Sequence, residues 1–62
     1  MAVAPEHVAK AASEMLARYG INAVARAQDR VNDVSRAGDR TALDLAMLLL
    51  TEVERQAAAS TS

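Results

Sequence analysis

At 62 residues and 6.6 kDa, the chain has room for one small domain at most. Seven basic residues against eight acidic ones leave a net charge of -1, so no long-range field selects DNA, RNA or an anionic membrane surface. The lack of cysteine removes a disulfide framework, a thiolate nucleophile and a cysteine zinc site.

The segment Met1-Ala-Val-Ala-Pro5 has neither a basic start nor the apolar stretch of a signal peptide, and no run approaches the length of a membrane span. A cytoplasmic protein without a membrane partner is the expectation. Residues 1–4 are expected to fray, leaving a single helical domain over 5–57 and a disordered tail over 58–62, where no large apolar side chain provides an anchor.

The first helix is expected over 5–19. Pro5 suits a first helical position, and Gly20 suits the left-handed residue that follows a helix. Val8, Ala12, Met15, Leu16 and Tyr19 share one face of it. Glu6–Lys10 and Glu14–Arg18 stand in the favourable i,i+4 order on the other. After Gly20, Ile21 is placed to make the apolar contact that often accompanies a helix stop, and Asn22 to cap the next helix.

The second helix is expected over 23–37, with Val24, Ala27, Val31 and Val34 in one stripe and Gly38 as its stop. Its other face alternates in sign: Arg26, Asp29, Arg30, Asp33 and Arg36 form a mutually compensating lattice rather than a basic strip.

Asp39 is a good N-cap for a third helix over 40–57, in which Arg40 can pair with Asp44. Leu43, Ala46, Leu50, Val53 and Ala57 make its core stripe, flanked by Met47 and Leu49. Leu45 and Leu48 fall toward or on the opposite side, among Asp44, Glu52 and Arg55. One partner cannot cover all of these leucines. With fifteen alanines and Tyr19 as the sole aromatic, the core of one chain is also thin.

The expected architecture is therefore all-α: three consecutive short helices in a small bundle, completed by homodimerisation. The predicted interface is Leu45, Leu48, Leu49 and Glu52 of the third helix. The same leucine face could instead receive an amphipathic helix from a different protein.

No catalytic, cofactor-binding or metal-ligating residue is predicted. His7, the one histidine, has Lys10 and Ala11 at the positions where a second ligand would stand, and Glu14 lies two turns away. Ser13, Ser35 and Thr41 lack an activating base, and packed helices of this size leave little concave space for a pocket, so neither an enzyme nor a small-molecule substrate is expected. The alternative is a compact three-helix DNA-binding protein using Arg26, Gln28, Arg30 and Asn32. Asp29 and Asp33 on the same face present phosphates with the wrong sign, which argues against it. Gly20 and Gly38 are isolated stops and make no phosphate cradle.

The segment Arg18-Tyr19-Gly20, Ala23, Ala27, Arg30 and Gly38-Asp39 has the pattern R-Y-G-x2-A-x3-A-x2-R-x7-G-D. It resembles a recurring pattern in short proteobacterial helical proteins to which no activity is assigned. The likeness spans about residues 15–53 and is carried by helix stops, caps and small packing residues. What it implies is a fold and a bacterial setting, and no residue acquires a role from it. Members of that group tend to carry a Gly after the Gly-Asp pair and a Trp in the third helix, where this chain has Ala42 and Ala46.

Overall fold

The computed structural model describes residues 5–61; Met1 to Ala4 and Ser62 lie outside the described residues, and with them the expected frayed start. Over that span the chain is helical apart from Gly38 and Asp39. The order is α1 (Pro5–Tyr19), a single 3-10 turn (Gly20–Asn22), α2 (Ala23–Ala37) and α3 (Arg40–Thr61). No non-helical residue separates α1 from α2, so the two form one bent arm. Gly38 and Asp39 then return the chain along α3.

Both bends depend on glycine. Gly20 has φ +58° and Gly38 φ +77°, a region where a Cβ costs roughly 1–2 kcal/mol. At the second bend the Gly38 N–H donates to the Ser35 carbonyl at 3.2 Å, and the Asp39 carboxylate accepts from the Ala42 N–H at 3.0 Å. Asp39 is thus the N-cap that its side chain promised.

The first bend is built differently from the expectation. Asn22 makes no side-chain cap hydrogen bond: the 3-10 turn leads straight into α2, and Asn22 has the right-handed helical backbone of that turn rather than the extended one of a capping residue. Ile21 sits on the outside of that turn and is 99% exposed, so it does not make the apolar contact expected after a helix stop. The third helix also runs past residue 57 to Thr61, through the tail expected to be disordered. Ala57, Ala58 and Ala59 explain this, since alanine has the highest intrinsic helix propensity and nothing beyond Asp39 interrupts the segment.

The hub is α3. Both α1 and α2 pack on it, and they touch one another far less. The buried apolar residues are Ala12, Ala23, Ala27, Ala46 and Val53, and Val53 alone among the described residues is a side chain larger than alanine that is fully buried. Met15, Leu16, Tyr19, Val24, Leu49 and Leu50 pack around this centre half-buried. The expected stripes of all three helices therefore face inward, but the centre they enclose is made of methyl groups.

A polar latch fastens α1 to α3. The Ser13 hydroxyl donates to Gln56 Oε1 at 2.8 Å, and Gln56 Nε2 donates to the Ala9 carbonyl at 3.0 Å. The pairs Glu6–Lys10, Glu14–Arg18 and Arg40–Asp44 do not close; among the described residues the ion pair that forms is Glu52–Arg55. Exposed i,i+4 pairs contribute only about 0.3–0.5 kcal/mol each, so solvation competes with them easily.

Asp39→Ala removes the cap and Gly38→Ala forces a Cβ into the left-handed region. Each is expected to cost about 1 kcal/mol and to lower the melting temperature by about 4–8 °C in a domain of this size. An unchanged melting temperature for Asp39→Ala would show that α3 starts without a side-chain cap.

Candidate functional site

The structure separates the four residues singled out on α3. Leu48 is 54% exposed and Leu45 38% exposed, both on the side of α3 turned away from α2. Leu49, one turn on from Leu45, packs instead against the core cluster and belongs to the molecule's own interior edge. Met47 is 51% exposed but lies about 100° round the helix from Leu48, outside this face.

Glu52 completes the face and is tied down. Arg55 donates to both of its carboxylate oxygens, through Nε at 2.9 Å to Oε1 and through Nη2 to Oε2. Gln56 Nε2 adds a bond to Oε2 at 2.8 Å. The Arg55 hydrogen bonds and then the Gln56 bond hold the Glu52 carboxyl at a pKa of about 2, against the opposing effect of burial and with a lesser contribution from the Arg55 charge. The same pairing raises Arg55 above its ordinary value. Because Gln56 also holds Ala9 and Ser13, the Glu52 face and the α1 latch form one network. In the sequence Gln56 is marked only as a polar residue adjoining the apolar stripe of α3.

Between α1 and α2 lies a second feature, which the expectation of little concave space did not anticipate. Because both helices pack on α3 rather than on each other, their fork stays open as a cleft of about 450 Å³. Ala11, Met15 and Leu49 supply apolar lining, with Tyr19 alongside. Arg18 from α1 and Arg26 and Arg30 from α2 supply charge, opposed by Glu14. The Arg26 guanidinium sits over the Tyr19 ring, 5.0 Å from its centroid, a cation–π contact worth about 0.5–1 kcal/mol at an exposed site. A smaller dimple of about 200 Å³ lies at the α2–α3 turn, lined by Val34, Gly38, Asp39 and Leu43 among others.

The residues of the DNA-binding alternative are Arg26, Gln28, Arg30 and Asn32, all exposed on α2 with Asp29 and Asp33 exposed beside them. Arg26 and Arg30 line the cleft toward α1, so they do not project together with Gln28 and Asn32 as one reading edge. His7 is exposed on α1. Among the described residues no group of three or more His, Cys, Asp and Glu could hold a metal ion, and no helix is long and apolar enough to cross a membrane.

No protein-family model matches the chain, and no curated protein or solved structure is significantly similar to it, so the functional reading rests on its own residues.

The pKa of Glu52 carries a signed consequence. Its folded value lies below the ordinary 4.5, so its stabilising effect is complete above that value and is lost as the pH falls from about 4.5 toward 2. The carboxyl carbon shift of Glu52 is expected to titrate with a midpoint near 2, and Glu52→Gln is expected to flatten the acid limb of the stability profile. A midpoint near 4.5 would show that the Arg55 and Gln56 bonds do not persist in solution.

Proposed function

We propose that this chain is a non-enzymatic protein–protein interaction or regulatory module that acts in the cytoplasm as a homodimer, with the outer face of α3 against a second copy. The observation that carries this reading is an inversion of burial. Leu48 is 54% exposed and Leu45 38% exposed, while four of the five buried apolar residues are alanines. Two leucines left exposed side by side on one helix face are stabilised by being covered.

Three features favour a second copy over a different protein as the cover. The thin alanine centre gives one chain little stability of its own, which self-association supplements. The net charge of -1 offers no field to steer a partner of opposite sign. The charges on the C-terminal side of Leu48, Glu52 and Arg55, neutralise one another, so two copies of the face can meet there without net repulsion. Glu52 enters such an interface already paired, without a further desolvated charge to satisfy.

Sedimentation equilibrium from low micromolar concentration upward is expected to return twice the 6.6 kDa chain mass. Leu48→Asp is expected to raise the dissociation constant by roughly a hundredfold or more, since an unpaired charge in a covered face costs about 3 kcal/mol or more. Leu48→Lys serves as a second variant, with helicity followed by circular dichroism to separate dissociation from unfolding. A folded wild-type chain that stays at single mass at high concentration would overturn the reading.

A further inference from the structure

The cleft in the fork of α1 and α2 joins apolar lining to a cluster of arginines. Its lining includes Met15 and Leu49, apolar side chains that also pack on the core. Around them stand Arg18, Arg26 and Arg30, three of the chain's six arginines, against the single carboxylate of Glu14. None of the three arginines forms an ion pair among the described residues. Asp29 and Asp33, which compensate these arginines along the sequence of α2, are not part of the lining. A chain with a net charge of -1 thus concentrates an excess of two positive charges at one apolar concavity.

We propose that this cleft binds an amphipathic anion, an alkyl or aryl group carrying a phosphate or carboxylate head. The apolar body lies on Met15 and Leu49, and the head reaches the guanidinium groups. Arginine suits this task because its planar fork matches both head groups in two-point fashion, and an apolar wall beside it strengthens the charge interaction. The contact with Tyr19 holds Arg26 at the rim and limits the side-chain ordering that binding requires. A volume of about 450 Å³ lies within the range of small-molecule sites. Glu14 opposes an anion at the α1 wall, so the head sits toward Arg26 and Arg30 with Arg18 opposite. This site does not use Leu45 or Leu48, and it stands whether or not α3 is covered by a second copy.

The test is a nuclear magnetic resonance titration of the full chain with octyl phosphate below its micelle concentration, and with octanoate as a second arm. Octanol, inorganic phosphate and octyltrimethylammonium separate the apolar and charged contributions. Saturable shifts are expected at the methyl groups of Met15 and Leu49, the Tyr19 ring and the arginine Nε–H groups, with both anionic amphiphiles binding at least tenfold more tightly than the three controls. The tighter of the two arms assigns the head group. Arg26→Ala with Arg30→Ala is expected to weaken binding tenfold or more. Glu14→Gln is expected to tighten it twofold to fivefold, a change that loss of folding cannot mimic. Shifts that do not saturate, that centre on Leu45 and Leu48, that are matched by octanol or the cationic amphiphile, or that persist unchanged in the variants would overturn the proposal.

Discussion

Everything in this molecule follows from how closely three helices approach one residue. Val53 is fully buried because Ala12 from α1 and Ala23 and Ala27 from α2 present it with nothing larger than a methyl group. Small side chains at a helix crossing bring the backbones together, and close-packed methyl contacts supply dispersion energy without much area. The consequence is a displacement of bulk. Met15, Leu16, Tyr19, Val24, Leu49 and Leu50 cannot enter the crossing and line its margins half-buried, while Leu45 and Leu48 are left outside it. The open fork and the leucine face are two results of the same tight centre.

Electrostatics is arranged around that geometry rather than causing it. Along the sequence the charges alternate and nearly cancel, yet helix packing sorts them in space. Arg26 and Arg30 turn toward α1, and Asp29 and Asp33 remain on the solvent side of α2. At the opposite margin of α3, Glu52 gathers Arg55 and Gln56, and Gln56 in turn holds α1. A polar residue that satisfies two elements at once fixes their relative position more sharply than apolar contact alone, because hydrogen bonds are directional where hydrophobic burial is not.

The all-helical character and the inward stripes were legible because period and the Asp39 cap are local signals that agree with one another, whereas the expected break between the first two helices is bridged by the Gly20–Asn22 turn, which joins them into one bent arm. Other features were not, and for identifiable reasons. Asn22 has the composition of a cap, but whether it caps depends on the backbone at Gly20 choosing a 3-10 turn. Ile21 belongs to a pattern that pairs with an apolar neighbour only when the chain turns back on the preceding helix, and here it does not. The third helix outran its expected end because the absence of a large apolar side chain is a poor signal of disorder when alanine fills the segment. Leu49 flanks the core stripe on the helix wheel yet is expected at the interface with Leu45 and Leu48; the wheel places residues on a helix but not the helices that cover them. The cleft was invisible for the same reason: it exists because α1 and α2 diverge, which no single helix encodes.

The latch between Gln56 and the first helix has a consequence for the order in which the molecule assembles. Ala9 and Ser13 lie 47 and 43 residues from Gln56 along the chain, whereas Val34 and Leu43, which border the α2–α3 turn, are near neighbours in sequence. Closing a long segment costs more entropy than closing a short one, and rates fall as contacts become less local. The α2–α3 hairpin therefore closes at the lower entropic cost and the seam between α1 and α3 at the higher. Opening the α1 seam uncovers one side of Val53, so the exposure of this centre is opposed by the Gln56 hydrogen bonds together with the packing of Ala12, Met15, Leu16 and Tyr19.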